Sequence, residues 1–144
     1  MMRFNRYKWV AAVEVCMYSL EQDDGKVVLQ YGTCKFELPR DRKSYEALSD
    51  SEKSGYNQAI IELSKTSPEC LGDFCLFEEN LIDLRAANID LSALPIKALD
   101  LYGASQLEGF WGDIQQLSVL QKLNLQHTNI SDEGLGNIAG LTNL

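Results

Sequence analysis

Four cysteines and a single histidine are the residues of this chain best suited to do chemistry. Cys70 and Cys75 lie close together in CLGDFC, where they could form a disulfide or share a metal ion. Cys16 and Cys34 lie in two strand-like stretches, and a turn centred on Gly25 would place them directly opposite each other. Two disulfides, Cys16 to Cys34 and Cys70 to Cys75, would fit an exported protein, whereas buried reduced thiols would fit a cytosolic one.

Metal binding and nucleophilic catalysis need more than these residues offer. Zinc is usually held by two short pairs of Cys or His, but Cys16 and Cys34 lie 18 residues apart. His127 is the only histidine, and no family signature of a catalytic nucleophile surrounds any cysteine. The sequence therefore predicts no catalytic residue, no metal and no cofactor. A cysteine- or metal-dependent activity of the N-terminal part is the lesser alternative.

The charge of the chain bears on its partners. At a formal net charge of −8, the chain is poorly suited to nucleic acids and anionic membrane surfaces, which reward clustered Lys and Arg. The basic residues that do cluster predict solvated faces: Arg3, Arg6, Lys8, Lys35, Arg40, Arg42 and Lys43. No apolar run is long enough to span a membrane. We therefore expect no nucleic-acid partner and no membrane span.

The N-terminal stretch MMRFNRYKWVAAVEVCMYSL resembles a signal peptide only superficially, because Glu14 interrupts its apolar part. We interpret it as folded protein, in the cytoplasm or exported by a route without a standard signal. Residues 9–20 and 26–38 are rich in Val, Tyr, Phe and Cys and are separated by QDDG, which predicts a β-hairpin. Ser49 and Glu52 form a capping box that predicts a helix ending at Thr66-Ser67-Pro68, with Tyr56, Ala59, Ile60 and Leu63 on its buried face.

Apolar residues in the second half recur at offsets that are neither helical nor strictly alternating. In LQKLNLQHTNISDEGLGNIAGLTNL these residues are Leu120, Leu123, Leu125, Ile130, Leu135, Ile138 and Leu141. IKALDLYGASQL and, more faintly, ENLIDLRAANIDL carry similar offsets upstream. Units therefore begin at Glu79, Ile96, Leu120 and Leu141.

This pattern resembles bacterial leucine-rich-repeat proteins, both in the SDEGL phrase and in the short LSALPIKALDL unit. The resemblance covers about residues 78–144. It implies an α+β N-terminal cap over residues 1–77, made of the β-hairpin and the helix, followed by a short α/β leucine-rich-repeat solenoid. About three repeats are expected, ending at the start of a fourth. Bacterial proteins of this kind include secreted and host-directed interaction proteins.

In such a solenoid, the strand residues between the buried leucines form a concave binding face. The expected partner-binding residues are Leu81, Asp83, Arg85, Lys97, Asp100, Tyr102, Lys122, Asn124, Gln126 and His127. They would form columns in which Asp83, Asp100 and Asn124 are neighbours. The sequence thus favours a non-catalytic module that binds a protein of unknown identity. The alternative is a structural or targeting segment of a larger multi-domain enzyme or effector.

Two further features could mediate contacts. Leu141 and Leu144 already occupy the buried slots of a fourth unit, which would leave an open repeat edge. Two interpretations follow: the chain is a fragment of a longer repeat protein, or the edge meets another chain, such as a second copy in a homo-oligomer. Phe110 and Trp111, in LEGFWGDI, form a second candidate surface, although filling of the core is the role that we expect for them.

Overall fold

The computed structural model describes residues 12–13, 18–23, 26–31, 34–105, 107 and 109–144. An antiparallel sheet comes first and has its four strands side by side in chain order. These strands are β1 (Ala12–Val13), β2 (Tyr18–Asp23), β3 (Lys26–Tyr31) and β4 (Cys34–Glu37). The predicted hairpin is confirmed for β2 and β3, in which Asp23 pairs with Lys26. Val27, Val28 and Tyr31 give β3 the β-branched and aromatic character that favours strands.

The predicted second strand over residues 26–38 is wrong, because the chain turns back after Tyr31 and β4 pairs with β3. Cys34 is therefore the cross-strand neighbour of Tyr31. Cys34 does not lie opposite β2, the strand before the first turn, because β3 lies between β2 and β4. Cys16 lies outside the described residues.

Two helices follow this sheet. The short α1 (Arg42–Glu46) begins at Asp41, whose side chain accepts a hydrogen bond from the Ser44 backbone N–H. The longer α2 (Asp50–Thr66) begins at Ser49 with the predicted Ser49–Glu52 capping box and ends before Pro68. Its predicted apolar face is confirmed, because the four residues expected there are buried: Tyr56, Ala59, Ile60 and Leu63.

A second, parallel sheet consists of β5 (Cys75–Leu76), β6 (Ala98–Asp100) and β7 (Lys122–Asn124). A 3-10 helix over Pro68–Asp73 leads into β5, and another over Leu91–Ala93 precedes β6. The helix α3 (Glu78–Ala86) lies between these two 3-10 helices. Two further helices flank β7 in the chain: α4 (Trp111–Gln115) precedes it and α5 (Asp132–Ile138) follows it. Leu76, Leu99 and Leu123 are in register across the three strands. Leu76 and Leu99 belong to the hydrophobic core, and Leu123 packs against it.

The expected α+β cap followed by a leucine-rich-repeat solenoid is wrong. The structure is a mixed α/β fold with an antiparallel and a parallel sheet, and one hydrophobic cluster extends from Leu29 to Leu141. The strand expected near residues 81–85 is instead α3, and the parallel sheet begins at β5, within the segment assigned to the cap. A division of the chain after residue 77 would thus separate β5 from its own sheet.

Local chemistry explains why α3 is helical. The Asn80 side chain accepts a hydrogen bond from the Phe77 backbone N–H (2.8 Å), and Glu78 and Glu79 lie in the first turn, where the helix dipole favours acids. At the other end Asn88 adopts a left-handed conformation (φ 56°), and the Ile89 N–H donates to the Leu84 carbonyl oxygen (3.1 Å). This is a Schellman-type helix ending.

Within the described residues, every helix is too short or too polar to cross a membrane.

Candidate functional site

One face of the parallel sheet is only partly covered. On the opposite face, Leu76 and Leu99 are fully buried and Leu123 packs on the core. On the partly covered face Cys75 and Asp100 are buried, whereas Lys122, which pairs with Ala98 across β6 and β7, is exposed. Parallel sheets are ordinarily buried on both faces, so the open end at Lys122 is an unusual surface.

A cavity of about 720 Å³ lies where the ends of β6 and β7 meet the segment containing α1. It is lined by Asp41, Arg42, Lys43, Glu46, Asp100, Tyr102, Gly103 and Asn124. A hollow of about 210 Å³ over Ala98 and Lys122 shares Asp100 and Asn124 with this cavity. We call the cavity and this hollow together the sheet-face groove.

Asp100 links the two sides of the groove, namely the ends of β6 and β7, which form its floor, and the segment containing α1, which forms its wall. Its carboxylate is buried (7% exposed) and accepts a hydrogen bond from the Arg42 backbone N–H at 2.8 Å and one from the Tyr102 backbone N–H at 3.0 Å. The first bond attaches α1 to β6, and the second closes a turn after the strand. Asn124 makes the same turn after β7, where its side-chain oxygen accepts from the Gln126 backbone N–H at 2.9 Å.

The Arg42 guanidinium is held by two carboxylates. It makes a bidentate contact with Glu79 of α3 (2.5 and 2.9 Å), and its Nε donates to Glu46 (2.7 Å). The hydrogen bonds that Arg42 donates to Glu79 are the main cause that raises the pKa of Arg42. Partial burial opposes ionisation of Glu79, but the hydrogen bonds and charge of Arg42 outweigh it, so the pKa of Glu79 lies below its usual value. The wall of the groove is thus fixed to α3 as well as to β6.

An exposed aromatic pair lies at the rim of the groove. The Tyr102 side chain is 43% exposed, and its ring meets the His127 ring edge-on with the centroids 4.9 Å apart. Each of the two strand ends carries a left-handed residue here, Gly103 (φ 70°) and His127 (φ 58°). The left-handed conformation is rare for a residue with a Cβ, and His127 adopts it in the turn that brings its ring to Tyr102.

The cysteines near the sheet are buried. Cys70 and Cys75 are reduced thiols rather than the disulfide that their spacing allows. Burial and, to a lesser extent, the nearby Asp100 charge raise the pKa of Cys75 to about 12, so this thiol is protonated at neutral pH. Among the described residues, no three His, Cys, Asp or Glu side chains gather as metal ligands.

The structure brings together part of the predicted binding set. Asp100 pairs with Asn124 and Ala98 with Lys122, as expected, and the Gly103 N–H donates to the Gln126 carbonyl oxygen (3.0 Å). Tyr102, Asp100 and Asn124 line the cavity, and Lys122 lines the adjoining hollow. Several predicted residues lie next to these or at the rim and are exposed: Lys97, Gln126 and His127.

The α3 members of the predicted face do not belong to it. Leu81 is buried in the core, and Asp83 and Arg85 lie on a helix, so the expected columns through them are wrong. Arg85 instead holds the loop before α4: it donates to the Gly109 carbonyl oxygen, lies 4.5 Å over the Phe110 ring and meets Asp113 at 3.3 Å. Its contacts are those of a structural residue.

The other two predicted contact sites lie away from the groove. Phe110 and Trp111 are buried, which confirms their expected role in the core. Leu141 is also buried, at 7% exposure, so only Leu144 of the expected open edge is exposed, at 51%. Self-association through this edge stays a prediction.

The sequence did not indicate that the segment containing α1 is part of the groove. Arg42 was expected on a solvated face, yet its contacts to Glu79 and Asp100 join distant parts of the chain. Two local signals indicate α1, namely the Asp41–Ser44 capping pair and the Arg42–Glu46 spacing along one helix face.

Comparison of the chain with protein-family models, with curated proteins and with solved structures finds no match.

Proposed function

We propose that this protein is a non-catalytic binding module that receives a protein partner in the sheet-face groove. The observation that carries the proposal is the partly open face of the parallel sheet. Such faces are normally covered by helices, and here the exposed Lys122 and the partly exposed Asn124 lie at its open end while the leucines face the core. A partner segment would cover the surface that the fold leaves open.

The residue types around the groove support binding. Tyrosine and arginine are frequent at protein interfaces because they combine a large contact area with hydrogen bonding. Tyr102 is exposed at the rim, and Arg42 is already immobilised by Glu79 and Glu46. Side chains fixed before binding lose little conformational entropy when a partner arrives.

The rigid frame of the groove supports the same proposal. Its floor is formed by strand residues, and Asp100 ties β6 to α1 through a buried hydrogen bond. The cavity of about 720 Å³ is within the usual range for ligand pockets, roughly 300 to 1,000 Å³.

The test compares two matched double variants in affinity capture from lysate. Tyr102→Ala with Lys122→Ala removes one exposed apolar side chain and one exposed lysine from the groove. Val119→Ala with Lys65→Ala removes the same kinds of exposed side chain elsewhere. The control should retain the captured partner, and the groove variant should lose at least about tenfold, as expected for an interface anchor.

Circular dichroism must first show that both variants fold like the wild type. Equal capture by wild type and both variants would move the binding surface away from the groove and refute the proposal.

A further inference from the structure

The two edges of the parallel sheet differ in how their backbone groups are satisfied. β5 forms one edge, and its Cys75 carbonyl oxygen accepts a hydrogen bond from the buried Tyr56 hydroxyl. Directly after β5, the Phe77 N–H donates to the Asn80 side chain at 2.8 Å. Buried backbone groups need such partners, because an unpaired one costs about as much as a lost hydrogen bond. The fold therefore closes this edge with its own side chains.

β7 forms the other edge, and its outer side has no strand partner among the described residues. On the inner side, the Lys122 N–H donates to the Lys97 carbonyl oxygen (3.0 Å), and the Asn124 carbonyl oxygen accepts from the Leu101 N–H (2.9 Å). Successive residues of a strand direct their backbone groups to opposite sides, so Leu123 directs its N–H and carbonyl away from β6. An edge of this kind is a template for pairing with another strand.

The apolar side chains of β7 are less completely buried than those of β6. Leu99 and Leu101 are each 1% exposed, whereas Leu123 and Leu125, which hold the same places one strand further, are only partly buried. Side chains on neighbouring strands shield each other when they lie on the same face. A strand added beside β7, with apolar residues at positions i and i+2 on the core side, would complete the burial of both leucines.

The charge beside β7 favours an acidic residue in such a strand. The hollow of about 210 Å³ over β6 and β7 is lined by the cations Arg40 and Lys122 and by one carboxylate, that of Asp100. Both oxygens of Asp100 already accept backbone N–H groups. Lys122 is exposed and forms no ion pair with the described residues. Exposed charges more than about 8 Å away are largely screened at physiological ionic strength, so these local cations matter more than the net charge of −8.

We propose that β7 accepts an extended segment of the partner protein as an additional strand, which pairs with the Leu123 backbone and places an acidic side chain beside Lys122. The open backbone groups specify a strand, because a helix satisfies its own N–H and carbonyl groups internally. This inference rests on the proposed function, since it names the conformation and chemistry of the segment that binds. The sheet-face groove contains Lys122 and is lined by Leu123 itself.

The first experiment tests the strand conformation with peptides. Random 12-residue peptides displayed on phage are selected against the folded full chain, and the tightest binder is synthesised as a series with one backbone nitrogen methylated in each member. Methylation should weaken binding at least about tenfold at every second position within the paired stretch and have little effect at the positions between. The reason is that only alternate N–H groups of an added strand face β7.

Hydrogen exchange measured by nuclear magnetic resonance tests the protein side of the same pairing. The Leu123 N–H should exchange rapidly in the free chain and at least about tenfold more slowly with saturating peptide. The Lys122 N–H is the internal control, because it already donates to Lys97 and should be protected in both states.

Two matched charge reversals test the acidic residue. Lys122→Glu changes the exposed lysine of β7, and Lys65→Glu changes an exposed lysine of α2. Once circular dichroism has shown that both variants fold, Lys122→Glu should weaken the selected peptide about fivefold, as expected for a partly exposed ion pair, and Lys65→Glu should not. Replacing the acidic residue of the peptide by its amide should abolish the difference. Equal affinities of both variants for the acidic peptide would overturn this part of the proposal.

The outcomes separate this inference from the proposed function. Peptides that bind the wild type but not the Tyr102→Ala, Lys122→Ala variant, and that show neither the alternating effect of methylation nor protection of Leu123, would overturn strand addition and leave the groove as a binding site. Peptides that bind that variant as tightly as the wild type, without protecting Leu123, would overturn both. A selection that enriches no peptide would also overturn strand addition, because backbone pairing at an open edge accepts many sequences.

Discussion

Two glycines in α5 provide a sharp test of how the C-terminal part packs. Gly134 and Gly136 are two residues apart in the same helix, but their surroundings differ. A Cβ built on Gly134 would lie 2.7 to 2.9 Å from ring atoms of Trp111, whereas one on Gly136 would meet no atom within 4 Å. Alanine at these positions should therefore have opposite effects on stability.

The expected magnitudes follow from two opposing contributions. Alanine is favoured over glycine inside a helix by roughly 0.5 to 1 kcal/mol, so Gly136→Ala should raise the free energy of unfolding by about that amount. Gly134→Ala has the same advantage but overpacks a buried indole, which typically costs roughly 1 to 3 kcal/mol. Trp111 is 5% exposed and has little room to move. The net effect of Gly134→Ala should be destabilisation by about 1 kcal/mol.

Urea unfolding followed by far-ultraviolet circular dichroism measures both effects on the same scale. The two variants should differ by about 2 kcal/mol, which corresponds to roughly 4 to 8 °C in Tm for a chain of this size. Trp111→Phe provides the internal check, because it removes the indole atoms that a Cβ on Gly134 would meet. In that background Gly134→Ala should no longer destabilise.

Equal stabilisation by both alanines in the wild-type background would refute this packing of α5 on Trp111. A penalty for Gly134→Ala that persists in the Trp111→Phe background would refute the overpacking argument itself.

Further predictions concern the framework of the groove. Glu79→Gln should lower stability at neutral pH by less than about 1 kcal/mol, because the ion pair with Arg42 is partly exposed. The folded-state pKa of Glu79 is lowered, so its stabilisation is present above the unfolded pKa and is lost as pH falls through the folded value. Urea midpoints of wild type and variant should thus converge as the pH falls below 4.5, the ordinary pKa of Glu, and through the lowered folded-state pKa, and a constant difference would contradict the assignment. Asn80→Ala should cost about 1 to 3 kcal/mol in thermal unfolding, because it leaves the buried Phe77 N–H without its acceptor; no loss would show that the N–H finds another partner. The raised pKa of about 12 and the burial of Cys75 should slow its alkylation by iodoacetamide at pH 8 by roughly a thousandfold relative to urea-unfolded protein, as measured by peptide mass spectrometry. Equal rates in folded and unfolded protein would contradict its burial.

Elements with strong local signals could be predicted from the sequence. The Ser49–Glu52 capping box and the spacing of Tyr56, Ala59 and Ile60 correctly indicated α2, because helix ends and one apolar face are properties of nearby residues. The strands around Leu99 and Leu123 were also located, and their parallel register is as expected.

The failure at α3 has a physical origin. The repeat pattern took Ile82 and Leu84 as the buried strand residues and Leu81 as an outward one. In the structure Leu81 and Leu84, three residues apart on one helix face, are buried, and Ile82 is exposed. Two single residues decide in favour of the helix: Asn80, whose side chain caps its start, and Asn88, whose left-handed conformation ends it. The two-residue strand β5 gives no periodic signal at all.

Of the candidate site, only the residues on β6 and β7 could be predicted from the sequence. Asp100 and Asn124 followed from the register of β6 and β7, since neighbouring parallel strands place equivalent residues side by side. The contacts of Arg42 could not be predicted in this way, because Glu79 and Asp100 lie 37 and 58 residues further along the chain. Contacts of that range are fixed by tertiary packing rather than by local pattern.

Asp100 explains why the groove is both stable and specific in shape. Its carboxylate satisfies backbone N–H groups on α1 and after β6, so removing it would leave two donors without their acceptor and loosen floor and wall together. A substitution there could not separate loss of binding from loss of fold. Asp41 and Glu46 lack this double role in the core. Both are exposed, and among the described residues Asp41 bonds within its own segment and Glu46 pairs with Arg42 and Lys53. The electrostatics of the groove can therefore be changed through these two residues while the Asp100 anchor keeps its geometry.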